Sequence, residues 1–239
     1  VTTDGPRRKA CFFDGEIYDA RQADPNAATY TPARLYEGEL PEQVVPDVGV
    51  PVKVHEKVKP KRIWKNAAGE TLVDFGRNMA GILEIGPIDG KAGQRIVIRH
   101  GELVQNDELY TGNLRTAKQT LDYACRDGIQ TYRPEFTYMG FQYVAVTGME
   151  VTEENLAAWD IYSDMEQIGD FSCSDERLNQ FQKNIQTSLK ANFVDIPTDC
   201  PQRDERCGWT GDIALFAPTA AFNMDIAGFM NKWLGDLAL

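Results

Sequence analysis

The hydrophobic pattern has a period of two through the middle of the chain, from about residue 61 to residue 165. The run from Arg95 to His100 alternates between apolar and polar side chains, and so does the run from Tyr143 to Thr147. Turn signals such as Asp89-Gly90 and Asp127-Gly128 separate such runs. Short alternating runs bounded by turns are typical of strands that bury one face. We therefore expect an antiparallel β-sandwich in this region.

After about residue 170 the period changes to about 3.6, which is typical of amphipathic helices. The first predicted helix has Ser174 as a natural N-cap. Its apolar positions are Leu178, Phe181, Ile185 and Leu189. A second helix, from Ile226 to Leu237, follows the candidate cap Asp225. We expect Pro218 to separate it from a shorter segment that starts near Asp212, because proline removes a helix hydrogen bond.

The chain is expected to hold three parts. Residues 1–60 are rich in proline and aspartate and are interpreted as the tail of an N-terminal β-domain and a linker. Residues 61–165 are the predicted sandwich, and residues 166–239 the predicted beginning of a helical domain. Because an amphipathic helix must bury its apolar face, we expect further helices beyond Leu239, in a longer protein. Self-association through exposed helices is a second way to cover those faces.

The net charge of −11 narrows the range of partners. Binding to nucleic acids or anionic membranes uses basic surface, which replaces the counterions of phosphates, whereas this chain has 36 acidic and 25 basic side chains. Its apolar runs are shorter than the roughly 20 residues that span a bilayer. We therefore expect neither a nucleic acid nor a membrane as a partner.

The five cysteines lie at scattered positions, which does not suit a disulfide framework. Cys200 and Cys207 are the closest pair, but their spacing is wider than that of the cysteine pairs in zinc sites. The two histidines, His55 and His100, are far from them in the sequence. We interpret the cysteines as free and mostly buried thiols, which favours a reducing compartment and a cytoplasmic protein. His100 lies in an alternating run and is interpreted as a strand or interface residue.

The segment between the two helical stretches, residues 195–212, has the composition of a binding site. Two arginines, a tryptophan and rigid prolines accompany five carboxylates: Asp195, Asp199, Asp204, Glu205 and Asp212. Carboxylates beside an aromatic ring suit a sugar, because the acids protonate or bind its oxygens while the ring covers a C–H face. A structural ion-pair network that caps helix ends is the alternative interpretation.

Residues 199–212, with the sequence DCPQRDERCGWTGD, resemble the signature loop of the bacterial α-L-rhamnosidases of glycoside hydrolase family 78. Other segments resemble family segments in the same order, namely residues 14–21, 74–78, 98–102, 109–115, 134–143 and 217–221. The resemblance implies the end of an N-terminal β-domain, a β-sandwich and the first helices of an (α/α)6 catalytic barrel, incomplete in this chain. The sequence departs from the family pattern at Arg77, Met139, Gln142 and Cys207, where Gln, His, Arg and Leu are common.

The resemblance also implies a reaction, the hydrolysis of terminal α-L-rhamnose from a rhamnose-containing glycoside with inversion at the anomeric carbon. Glu205 corresponds to the general acid. Asp199, Arg203 and Asp212 correspond to residues that contact rhamnose hydroxyls, and Trp209 to the ring that packs against the apolar side of the sugar. The resemblance implies neither a metal nor an organic cofactor.

Inversion requires a second carboxylate, which activates a water molecule. The resemblance implies that this general base is a glutamate beyond Leu239, so the 239-residue chain on its own is expected to be inactive. A function of a different class stays open from the residues alone. It is a non-catalytic carbohydrate-binding or structural β-sandwich module, in which the loop merely caps helices.

Overall fold

The structure, a computed structural model, describes residues 5–23, 32, 34–39, 44 and 46–239. The strands in these residues are β1 (Arg7–Cys11), β2 (Gly15–Asp19), β3 (Val52–Val58), β4 (Arg62–Lys65), β5 (Thr71–Gly90), β6 (Arg95–Gly101), β7 (Leu103–Gln105), β8 (Glu108–Tyr110), β9 (Thr120–Ala124), β10 (Gly128–Tyr132), β11 (Met139–Thr147), β12 (Leu156–Ser163), β13 (Phe193–Val194) and β14 (Ile196–Pro197). The helices are α1 (Glu176–Asn192), α2 (Thr210–Asn223) and α3 (Ala227–Leu237), with short 3-10 turns at Ala20–Gln22 and Gly112–Leu114.

The sheet curls around β5, which is 20 residues long. The first half of β5 pairs with β4 and β11, and its second half pairs with β12 and β10. Because β5 changes partners along its length, the described residues form one connected sheet of ten strands, in the order β1-β2-β9-β6-β11-β5-β12-β3, with β4 and β10 also on β5. The fold is therefore mostly β, with a curled sheet followed by a few helices.

Neighbouring strands of this sheet are antiparallel throughout the described residues, except that β2 and β9 run parallel. This pair departs from the predicted all-antiparallel arrangement, because β2 joins the sheet from the N-terminal segment. That segment also contributes β1 beside β2, and β3 beside β12. The predicted domain boundaries at residues 60 and 165 stay predictions.

The alternating pattern of β6 buries one face of the strand, as expected. Ile96 and Ile98 are buried in the main core, and His100 follows them on the same face. Nδ1 of His100 lies 2.8 Å from the carbonyl oxygen of Gln119, and its ring meets that of Phe141 edge to face. Burial lowers the pKa of His100 to about 4. The interpretation of His100 as a strand residue is confirmed.

The ends of the helices differ from two sequence predictions. The N-cap of α1 is Asp175, one residue after Ser174, because the Asp175 carboxylate accepts the amide hydrogen of Arg177 at 2.9 Å. Pro218 lies inside α2 and does not end it. The chain leaves the helix at Met224, whose extended backbone places a fully buried side chain in the core below the helices.

The helices bury part of their apolar surface. Leu189, Phe229 and Trp233 pack together in one cluster, whereas Leu178 is 50% and Phe181 60% exposed. The predicted apolar face of α1 is therefore buried at its C-terminal end and open at its N-terminal end. Within the described part of the chain, each helix is too short or too polar to cross a membrane.

Candidate active site

The loop between β14 and α2 closes on itself through Asp199. The amide of Asp199 donates to the carbonyl oxygen of Cys207 at 3.0 Å, and the amide of Cys207 donates to Oδ1 of Asp199 at 2.9 Å. Thr198, the residue before, donates both its amide and its hydroxyl to the carbonyl oxygen of Asn192 at the end of α1. One carboxylate thus fixes the width of the loop, and its side chain is 5% exposed.

A buried guanidinium fastens the loop to the sheet. Nη1 of Arg206 donates to the carbonyl oxygen of Tyr138 at 2.8 Å, and Nη2 donates to Oε1 of Gln119 at 3.3 Å. The guanidinium lies over the Tyr138 ring, 4.9 Å from its centre. Burial lowers the pKa of the Arg206 guanidinium. The side chain is 8% exposed, so this arginine is a structural anchor rather than a ligand-binding group.

Four of the five predicted site residues come together above this anchor. Arg203 bridges two carboxylates, with Nη2 3.2 Å from Asp199 and Nε 3.0 Å from Oε2 of Glu205. The indole Nε1 of Trp209 donates to Oε1 of Glu205 at 2.9 Å. Trp209 is 50% exposed, so one part of its ring holds the carboxylate while another part is open to a ligand.

Asp212, the fifth predicted residue, lies in the first turn of α2. It joins the others through an open cavity of about 400 Å³ that Asp199 and Asp212 line together, with Ile213 and Phe216 on the apolar side. Pairs of polar and apolar lining groups suit a sugar with one hydroxylated and one apolar side. The structure therefore places Asp212 near Asp199, and outside the ion pairs around Glu205.

Two residues in the connection between β8 and β9, which the sequence did not single out, also reach the loop. Arg115 lies after the 3-10 turn that precedes β9, and it pairs with both Asp204 and Glu205. The hydroxyl of Thr116 donates to Asp204. These two contacts hold the pKa of the Asp204 carboxyl below its ordinary value, the hydroxyl having the larger effect. The sequence signal was present, since Arg115 ends one of the family-like segments.

The donor atoms of Asp199, Cys200 and Glu205 lie within 4.8 Å of one another. Two carboxylates and a thiol are groups that could hold a metal ion. The guanidinium of Arg203, however, pairs with both carboxylates, so a fixed positive charge already occupies the position between them. The thiols of Cys125 and Cys200 are buried while those of Cys173 and Cys207 are exposed, and all five cysteines, each a described residue, are free.

Two family models match the chain. Residues 64–162 match the bacterial alpha-L-rhamnosidase concanavalin-like domain, and residues 166–239 match the bacterial alpha-L-rhamnosidase 6 hairpin glycosidase domain. The two matches agree with the resemblance in residues 199–212, and together they include the sheet core and the helices.

The curated relatives and solved structures to which the chain is similar are also named alpha-L-rhamnosidases. The chain is 35% identical to an alpha-L-rhamnosidase of Streptomyces avermitilis, over 98% of this chain and 24% of the relative. It is 36% identical to one of Formosa agariphila, over 98% of this chain and 26% of the relative. The Streptomyces avermitilis enzyme complexed with L-rhamnose superposes with a TM-score of 0.91 at 36% identity, covering 98% of this chain and 24% of that one. The native enzyme of Aspergillus terreus superposes with a TM-score of 0.89 at 38% identity, covering 97% and 28%. The chain spans about a quarter of the length of these proteins.

Proposed function

Because the chain belongs to the family of bacterial α-L-rhamnosidases, we propose that the protein containing it is a glycosidase that removes terminal α-L-rhamnose from rhamnosides. The observation that carries the proposal is the cluster of Asp199, Arg203, Glu205 and Trp209 on one closed loop. A relative that superposes over nearly the whole chain is described with L-rhamnose bound, which supports this class of substrate.

Glu205 is the general acid in this proposal and protonates the departing glycosidic oxygen. The acid needs a defined orientation, and two kinds of donor supply it, since guanidinium groups contact Oε2 and the Trp209 indole contacts Oε1. Asp199 and Arg203 bind sugar hydroxyls. Asp212 adds a hydroxyl contact from the first turn of α2, and the open part of the Trp209 ring packs against the apolar side of the sugar.

The general base lies outside the 239 residues in this proposal. In inverting glycosidases the two carboxyl groups are about 6.5–9.5 Å apart, which leaves room for a water molecule. An oxygen of Asp199 lies within 4.8 Å of one of Glu205, which is too close for such a pair. The two carboxylate oxygens of Asp199 also pair with the guanidinium of Arg203 and accept the amide hydrogen of Cys207. This geometry argues against Asp199 as the base of an inverting pair, and its contacts support a hydroxyl-binding role.

The same proposal extends to the fold. The curled sheet is the β-sandwich domain of the family, and α1, α2 and α3 are the first helices of an (α/α)6 barrel. The exposed ends of the helix faces, at Leu178, Phe181 and Leu237, then face later helices of that barrel. A purified chain of these 239 residues is expected to show no turnover of an aryl rhamnoside, because it lacks the base and most of the enclosing site.

Replacement of the acid tests the proposal in the full-length protein. Glu205→Gln keeps the shape and the indole contact and removes the transferable proton, so we expect kcat for an aryl α-L-rhamnoside to fall by about 10²–10⁴. Glu153→Gln, an exposed glutamate between β11 and β12, is the matched control and should retain wild-type kcat. Wild-type rates from Glu205→Gln would exclude the assignment of the acid. A wild-type protein without rhamnosidase activity would favour the non-catalytic module.

A further inference from the structure

Arg115, in the connection between β8 and β9, is a point at which the concanavalin-like domain contacts the candidate acid. Its Nη1 donates to Oε2 of Glu205 at 2.8 Å, and its Nε lies 2.9 Å from Oδ1 of Asp204. A planar guanidinium can hold two carboxylates at once in a fixed geometry, which an ammonium cannot. The two carboxylates belong to consecutive residues of the loop, so one side chain contacts both and restricts the direction of the Glu205 carboxyl.

The residues just before Arg115 hold its backbone in place through burial and a hydrogen bond. Leu114 is fully buried, and Asn113 donates to Oε2 of Glu102 at 2.9 Å. Arg115 itself has φ of 59° and ψ of −112°, an unfavourable conformation for a residue with a side chain that persists only where its surroundings enforce it. The guanidinium of Arg115 therefore extends from a connection that is buried and hydrogen-bonded on the residues just before it.

The other groups that face Glu205 belong to the loop of Glu205 itself. They are the guanidinium of Arg203, the indole of Trp209, the carboxylate of Asp199 and the thiol of Cys200. Asp204 faces Arg115 from the next position. Arg206 fastens the backbone of the loop to the sheet. Among the described residues, Arg115 is the charged side chain from outside the loop that contacts the Glu205 carboxylate itself.

We propose that Arg115 is a positioning residue, which fixes the carboxyl of Glu205 from the sheet and thereby makes the concanavalin-like domain a working part of the active site. The inference rests on the proposed role of Glu205 as general acid. The Arg115 side chain is 53% exposed and that of Glu205 23% exposed, and ion pairs of this kind contribute little to folding. Loss of the contact therefore affects turnover more than stability.

The experiment compares the variants Arg115→Ala and Arg115→Lys in the full-length protein, with Arg126→Ala as the control. Arg126 is an exposed arginine in the turn between β9 and β10, so its removal matches the loss of charge without touching the site. The measurements are kcat and KM for an aryl α-L-rhamnoside at the pH optimum of the wild-type protein, and the midpoint of thermal unfolding.

For Arg115→Ala we expect kcat to fall by about 10- to 100-fold, since a misplacement of about 1 Å in a catalytic group can cost 10²-fold. KM should stay within about threefold, because Arg115 does not bind the sugar in this proposal. Arg115→Lys should recover part of kcat, because an ammonium keeps the positive charge but cannot hold both carboxylates in one fixed geometry. The unfolding midpoints of all variants should match that of Arg126→Ala.

Wild-type kcat in Arg115→Ala would overturn the inference. So would equal losses of kcat in the Ala and Lys variants together with a lower unfolding midpoint, since that pattern indicates a merely structural contact. Should Arg115→Ala not fold, the Lys variant decides, and full wild-type kcat there would exclude positioning by a two-carboxylate bridge. A wild-type protein that does not hydrolyse rhamnosides overturns the proposed function first, and this inference with it.

Discussion

Gly140 in β11 decides how closely the loop of the candidate site approaches the sheet. A Cβ atom at this position would lie 2.7 Å from the carbonyl carbon of Pro201 and 2.8 Å from the amide nitrogen of Gln202. Both atoms belong to the backbone, so a side-chain rotation cannot relieve the overlap. To reach an ordinary contact of 3.4 Å, the loop has to move by about 0.7 Å away from the sheet. The variant Gly140→Ala therefore displaces the loop with a single methyl group.

The displacement also acts on the anchor of the loop. Gln119 accepts the amide hydrogen of Gly140 at 2.9 Å and donates to its carbonyl oxygen at 3.1 Å, while its Oε1 also accepts from Arg206. A loop that moves outward stretches the contact between Gln119 and Arg206. Overpacking of this kind costs about 1–3 kcal/mol of stability. With the proposed roles of the loop residues, we expect a shift of this size to lower kcat/KM by about 10-fold or more.

The assay is kcat/KM for an aryl α-L-rhamnoside with the full-length protein, together with the thermal unfolding midpoint and a crystal structure of the variant. Gly235→Ala is the control, because a Cβ at this position in α3 meets nothing within 4 Å; it should be neutral or slightly stabilising, since alanine favours helix. A Gly140→Ala protein with wild-type kcat/KM and an unmoved loop would refute the reasoning.

Two further predictions concern single polar residues. His100 has a pKa of about 4 in the folded state, below the ordinary value of about 6.5. The unfolded state therefore binds more protons between these two pH values, so the stability falls as the pH is lowered from 6.5 to 4. His100→Asn should flatten the dependence of the unfolding midpoint on pH over this range, and an unchanged slope would contradict the assignment of this pH dependence to His100. Asp199→Asn keeps an acceptor for the amide of Cys207 but loses the ion pair with Arg203. We expect KM to rise by about tenfold with a smaller loss of kcat, because an uncharged group replaces one that binds sugar hydroxyls. A loss of turnover that azide restores would instead identify Asp199 as a nucleophile or base.

The loop of the candidate site could be located from the sequence because its chemistry is local. Asp199, Arg203, Glu205 and Trp209 lie within eleven consecutive residues, and their spacing is enough to place them on one loop. The roles given to them by resemblance stay predictions. The direction of each side chain could not be predicted, because the closure between Asp199 and Cys207 depends on backbone geometry with φ of 53° at Arg206.

The sequence patterns could not predict contacts between residues that are far apart in the sequence. Arg115 is 90 positions before Glu205, and no periodicity links residues at that distance. The change of strand partners along β5 could not be predicted either, because an alternating run predicts a strand but not which strands lie beside it. Pro218 was misinterpreted as a helix end because a missing hydrogen bond is a local cost, which the packing of α2 against Phe193 and Trp233 offsets.

The anomer of rhamnose that is released first by the full-length protein tests the account most directly. Hydrolysis of an aryl α-L-rhamnoside is followed by proton NMR from the first minutes, before the free sugar equilibrates between its anomers. The account predicts that β-L-rhamnose appears first, because the acid Glu205 acts with a water molecule activated from the opposite face of the sugar. Initial release of α-L-rhamnose would contradict inversion, and no release of rhamnose would contradict the proposed function itself.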